Sequence, residues 1–256
     1  MVFDSLRYDV ACEALRRGRL PGLGPRIGGW ERRHTPATFT YAAHQAFFAG
    51  FLPTPAGPQS PAVRNWALEF VGSSSVDDST LLLPGAHLCQ GLRAHGYHTL
   101  CVGGVGFFNR QTPLSCVLPD LFCESHWGPE MGVTDPQSTR HQVERALQRL
   151  RHFPKEQRLF LYLNVSATHQ PTHFYLPGAL HESFESQLEA LCFADGQLEP
   201  LWSELQGRGG ACCWAFSDHG TAFGEEGRWG HRWAHPAIWE VPYAEFLLDQ
   251  QRSSAE

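Results

Sequence analysis

Several features are missing from this sequence, and each absence removes a class of protein. Lysine and arginine form no long basic run: 20 basic side chains stand against 26 acidic ones, for a net charge of −6 at pH 7. A general nucleic-acid footprint needs a larger basic cluster, so the balance argues against that partner. No window approaches the roughly 18 apolar residues of a membrane span, and the chain does not open on a basic stretch followed by an apolar one. The expectation is a cytoplasmic protein without a membrane span. The eight cysteines (Cys12, Cys89, Cys101, Cys116, Cys123, Cys192, Cys212, Cys213) form no Cys-x-x-Cys pair. Several sit in apolar runs, where cysteine behaves as a small hydrophobe, so they read as reduced and structural. Internal repeats, heptads and low-complexity tails are also lacking, apart from a short polar end at 250–256.

What is present is enough for a sizeable core. At 256 residues and 42% hydrophobic side chains, the chain fits one domain over 1–256. Helix-period signals over 8–17, 41–50, 86–95, 141–151 and 184–205 alternate with β-type runs at 98–102, 159–165, 211–216 and 243–248. That order predicts an α/β three-layer sandwich, with a mainly parallel central sheet and helices on both faces. Segments 21–29, 53–61 and 111–137, rich in Pro, Gly and Ser, read as long loops of the functional kind. Only Met1, Val2 and Phe3 precede Asp4, where a first central strand should run for about five residues. Either part of that strand is missing or the true start lies upstream.

Ligands of open α/β sheets gather at the carboxyl ends of the strands, so polar residues just after apolar runs are the candidates. Asp4 follows Val2-Phe3, His169 follows the run ending near Val165, Asp218 and His219 follow Phe216, and His231 and His235 lie in the next loop. The segment Thr35-Pro36-Ala37-Thr38-Phe39-Thr40 leads into a helix start, whose free N–H groups suit an anion. Carboxylate and imidazole together suit a divalent ion such as zinc or manganese, and 14 histidines are many for this length. Each piece also has a plain structural reading. Asp-His-Gly makes turns, a lone histidine on an apolar flank is usually satisfied packing, and Thr38 or Thr40 can cap a helix.

Together these residues resemble the alkaline phosphatase and sulfatase superfamily, and in particular its small bacterial sulfatase-like metal hydrolases. Asp4 to Asp9 looks like the first metal-binding turn. Thr38 to Pro53 resembles the nucleophile helix, with Thr40 at the nucleophile and His44 as a substrate-side imidazole. Residues 92–108, with Gly96-Tyr97, resemble the family's helix, turn and strand. His169-Gln170-Pro171 resembles the loop that contacts the transferred group, and Asp195 stands in a helix leading to Ser217-Asp218-His219-Gly220. The loop 225–242, through Gly227-Arg228-Trp229-Gly230-His231, looks like the source of the last ligand.

The resemblance implies a divalent cation held by Asp4, Thr40, Asp218, His219 and His235, with Thr40, His44, His169 and His231 as the catalytic set. Whether His231 or His235 supplies the last ligand stays open. True sulfatases carry a Cys-x-Pro-x-Arg type motif, and none occurs near Thr40. The implied chemistry therefore moves from sulfate to phosphate: hydrolysis or transfer of a phosphoester or phosphodiester through a threonine nucleophile. A second-metal pattern before Asp-His-Gly is incomplete, because Val165 stands four residues before His169, which favours one ion. The implied substrate is a small-molecule or head-group ester. Two other readings accompany this one: an inactive scaffold that binds a partner, and a cofactor-free transferase whose tryptophan-rich loop 229–239 is a sugar platform, although those tryptophans also suit plain packing.

Overall fold

A computed structural model describes residues 1–50, 65–68, 80–83 and 86–249. In chain order the strands are β1 (Val2–Phe3), β2 (Glu31–His34), β3 (Asn65–Leu68), β4 (Thr80–Leu83), β5 (His98–Val102) and β6 (Glu124–His126). They continue with β7 (Leu159–Val165), β8 (Ala211–Ser217), β9 (Ala222–Phe223), β10 (Trp229–Gly230) and β11 (Glu240–Leu248). The helices are α1 (Tyr8–Arg16), α2 (Thr40–Ala49), α3 (Leu88–Ala94), α4 (Pro113–Val117), α5 (Ser138–Leu150), α6 (Phe184–Gln197), α7 (Glu199–Gly207) and α8 (Pro236–Trp239).

Seven strands form one sheet in the order β2-β11-β8-β1-β7-β5-β6. From β8 to β6 all neighbours are parallel, and β11 runs antiparallel to both β8 and β2. Side chains of successive strand residues fall on opposite faces. Val2, Cys101 and Tyr162 thus join one apolar layer with Tyr41 and Phe48 of α2, while Phe3, Val102 and Leu163 join the other with α1, α5, α6 and α7. Both layers are buried, and that is why these strands read as continuous apolar runs. The expected sandwich with a mainly parallel sheet is the observed fold.

The differences from the sequence reading have local causes. The expected helix 184–205 is two helices, because Pro200 lies in the first turn of α7 and has no N–H to continue the ladder from α6. Strand β2, with sequence Glu-Arg-Arg-His, is exposed throughout; it exists through its pairing with Glu240 to Tyr243 and not through its own polar residues. The loop expected at 111–137 holds α4 and the edge strand β6. The loop expected at 53–61 lies outside the described residues. Strand β1 is only two residues long, yet Val2 and Phe3 are wholly buried and pair with β7 and β8 on either side. All eight cysteines are free thiols.

Edge strand β6 is fastened through Glu124, which accepts hydrogen bonds from Arg149 of α5 and from His126, with His98 Nε2 at 3.3 Å. Burial pushes this carboxyl up, but Arg149 and His126 outweigh it and bring it from 4.5 to about 2. A carboxyl depressed on folding stabilises the protein above its unfolded value, and the contribution fades as pH falls through the folded one. Glu124→Gln should therefore cost about 1–2 kcal/mol at pH 6. In paired denaturation curves that difference should shrink as pH is lowered from about 4.5 towards 2.

Candidate metal centre

Because β1, β7 and β8 are parallel neighbours, their carboxyl ends lie together, and the residues that follow them converge. Asp4 follows β1, and Asp218 and His219 follow β8; all three side chains are wholly buried. One ligand-type atom from each lies within 4.8 Å of the others. His219 Nε2 is 3.6 Å from Asp218 Oδ2 and 4.0 Å from Asp4 Oδ1. Thr40 Oγ1, in the first turn of α2, is 3.2 Å from the same imidazole nitrogen. His219 Nδ1–H donates to the Gly220 carbonyl at 2.8 Å, which leaves Nε2 with its lone pair free towards Thr40 and the carboxylates.

The electrostatics of this cluster suit a cation. Burial and the neighbouring Asp4 charge push the Asp218 carboxyl well above the usual range. Burial also pushes Asp4 up, but His169, His219 and the Asn164 amide outweigh it and leave this carboxyl below its ordinary value. Asp218 Oδ1 accepts from the backbone N–H groups of Ser5 (3.1 Å) and His219 (3.0 Å), while Oδ2 has no hydrogen-bond partner. Among the described residues no Lys or Arg pairs with either carboxylate. Two buried carboxylates, one with an orphaned oxygen, beside a lone-pair nitrogen and a hydroxyl form a donor set that fits a divalent cation such as zinc.

A second set of polar residues fixes the first. Asn164 donates to Asp4 Oδ2 at 3.1 Å and accepts from the N–H groups of Gly104 and Val105. Thr168 Oγ1 donates to the Asp4 carbonyl, and Gln187 Nε2 bridges the carbonyls of Ser5 and Thr168. Gln142 reaches the carbonyls of Gly103 and Asn164. Asn164, Thr168, Gln187 and Gln142 escaped the sequence reading. A signal existed for two of them: Asn164 interrupts the apolar run of β7, and Gln187 stands on the buried face of α6. Asp195 lies apart from the centre, accepting from the N–H groups of Gly22 and Leu23, a structural task within the loop 21–29.

Histidines expected in the site separate into two groups. His169 and His231 line a cleft of about 640 Å³ with the buried Thr40 at its floor. The His231 ring lies 4.4 Å from that of His219 and 6.0 Å from that of His169, centroid to centroid. Burial, followed by these two neighbouring imidazoles, lowers His231 to about 3. His44, expected on the substrate side, is instead wholly buried one turn below Thr40. Its Nδ1–H donates to the Thr40 carbonyl at 2.7 Å, and its ring packs among Phe47, Phe108 and Tyr162. The apolar run of α2 draws it inward, and burial lowers it to about 4. His235, expected as a ligand, caps α8: its Nδ1 accepts from the Ala237 N–H at 3.1 Å and its ring lies on Trp233. That nitrogen is taken, and His235 is not in the buried cluster.

Loop 222–231 is tied back to the centre by Arg7, which pairs with Asp9 and Glu225 and packs its guanidinium 5.4 Å from the Phe223 ring. Glu225 in turn accepts from the Phe223 N–H at the foot of the β9–β10 hairpin that leads to His231. Gly220, whose carbonyl orients His219, has no room for a side chain: a Cβ there would lie 2.0 Å from the Ala237 carbonyl oxygen. Gly220→Ala should therefore destabilise the fold by at least about 2 kcal/mol and weaken cation binding together with it. Urea denaturation and zinc titration of the same variant check both effects.

No protein-family model matches this sequence, and no curated protein matches it at significant similarity. Solved structures do. The chain is similar to the C-terminal periplasmic domain of the phosphoethanolamine transferase EptC from Campylobacter jejuni, with TM-score 0.61 and 12% identity over 98% of this chain and 78% of that one. It is also similar to the C-terminal periplasmic domain of EcEptC from Escherichia coli in complex with Zn, with TM-score 0.60 and 15% identity over 98% and 71%. A third match is a protein in the alkaline phosphatase superfamily from Vibrio parahaemolyticus, with TM-score 0.56 and 15% identity over 98% and 60%. Two of these three are periplasmic domains, which overturns the expectation of a cytoplasmic protein. Among the described residues no helix is long and apolar enough to cross a membrane, but that holds for a protein in any compartment. At these identities the likeness speaks for the fold alone, which the chain shares with these transferase domains and with the Vibrio protein of the alkaline phosphatase superfamily.

Proposed function

We propose that this protein is a metal-dependent enzyme acting on a phosphoester or phosphodiester, by hydrolysis or by transfer, with Thr40 as nucleophile. One observation carries the reading: the buried Thr40 hydroxyl, at the floor of a cleft, lies within 3.2 Å of the free nitrogen of His219, which itself adjoins two buried carboxylates. Asp4, Asp218, His219 and Thr40 would hold the ion. A bound divalent cation supplies positive charge that lowers the pKa of a hydroxyl and offsets charge on a phosphoryl group.

The chain's own residues account for the remaining tasks. Thr40 lies in the first turn of α2, so backbone N–H groups and the positive end of the helix dipole face the place where an anion would arrive. His169 donates its Nδ1–H to the Gln170 carbonyl at 2.5 Å, which leaves Nε2 to meet a phosphoryl oxygen or the leaving group. His231, from the opposite loop, lines the same cleft and can share that work. His44 holds the Thr40 backbone from below and stands 3.7 Å from Asp218 Oδ2, so its task is to position the nucleophile turn.

Zinc support fits the donor set and accords with the Zn complex of the EcEptC domain. Turnover of nitrophenyl phosphate monoesters and diesters by the zinc-loaded protein tests the assignment. Thr40→Ala should lower kcat/KM by at least about a thousandfold, and Thr40→Ser should retain measurable activity. If Thr40→Ala turned over either ester at the wild-type rate, Thr40 would not be the nucleophile; stoichiometric zinc with no turnover of any ester would favour the scaffold reading instead.

A further inference from the structure

The cleft beside Thr40 has a composition that phosphoryl chemistry alone does not demand. Val105, Phe107 and Leu114 give it apolar and aromatic surface, and Trp229, 59% exposed, lines it as well. Gln170 adds an amide that can both donate and accept hydrogen bonds, and Asn109, whose Oδ1 accepts from the Gln111 N–H at 2.9 Å, adds a second amide donor. Among the described residues that line it there is no carboxylate, and its one guanidinium, Arg232, has no acidic partner and lies 5.3 Å from the Phe39 ring. Glu182, which lines an adjoining hollow with Trp229, is already engaged by Thr172 and His173.

This composition discriminates among the groups a phosphoester can carry. Among the described lining residues an ammonium head group would find no negative partner and would lie beside Arg232, which costs free energy. A sugar ring matches the cleft better. Its hydroxyls pair with amides, and its C–H face packs against an indole, as ligand pockets combine apolar walls with a few placed polar groups. Resting on the phosphoester reading above, we propose that the cleft binds the alcohol half of the substrate and that this half is a neutral sugar rather than an ammonium-bearing group.

Calorimetric titration of the zinc-loaded full chain with inorganic phosphate, glucose 1-phosphate and phosphoethanolamine tests this directly. Glucose 1-phosphate should bind about tenfold more tightly than phosphate, and phosphoethanolamine no more tightly than phosphate. In Trp229→Ala the ratio of glucose 1-phosphate to phosphate affinity should fall to about threefold or less, and Asn109→Ala should lower the same ratio. Tighter binding of phosphoethanolamine than of glucose 1-phosphate, or a ratio unmoved in both variants, would overturn the inference alone. Failure of phosphate itself to bind would overturn the phosphoester reading and the inference with it.

Discussion

Asp4 and Asp218 are carried to the same place by two adjacent parallel strands, and burial leaves their charges nowhere to go. Like charges in a water-poor site cannot both ionise unless something positive joins them. Here the backbone satisfies one oxygen of Asp218 and leaves the other without a partner, and raising the Asp218 carboxyl is the local response. A cation held between them would offset both charges and turn a costly pair into a ligand set, which would couple cation binding to folding free energy. The surrounding structure follows from this constraint.

A donor set works only if it is rigid. The Asp4 turn is held by Asn164, Thr168 and Gln187, which come from β7, the loop after it and α6, so three separate elements fix one carboxylate. The Asp218 side is held by the Ser5 N–H and by Thr35, whose hydroxyl donates to the Asp218 carbonyl. Gly220 then closes against Ala237 with no room for a Cβ, and its carbonyl orients His219. Each of these polar groups is buried and paired, as a costly polar centre requires. The two-residue β1 makes sense in this light. Its short length matters less than its position, since Val2 and Phe3 fill the sheet between the two strands that carry the other site residues.

Much of this is legible in the sequence alone. Apolar runs alternating with helix-period stretches were sufficient for the layered fold, since strands buried on both faces have no polar alternation to hide them. Asp4, Asp218 and His219 stood out as polar residues directly after such runs, and parallel strands bring those ends together. What stayed hidden depended on packing across the chain. The sequence around His44 offers an imidazole one turn from Thr40 but cannot say that Phe108 and Tyr162, from distant elements, close over it. His235 and His231 are four residues apart in one loop, and only the cap on Ala237 separates their tasks. Strand β2 has no β-type signal of its own because β11 imposes it, and the compartment of the protein leaves no trace in residues such as these.

If the paired carboxylates exist to receive a divalent ion, the metal should stabilise the fold through them. Thermal unfolding of the metal-stripped protein with and without one equivalent of zinc is the most direct measurement. The account predicts a rise in Tm of several degrees for the wild type and little or none for Asp218→Asn, whose remaining donors cannot match the charge of the ion. An equal rise in both proteins, or no rise in the wild type with zinc absent from the recovered chain, would contradict it.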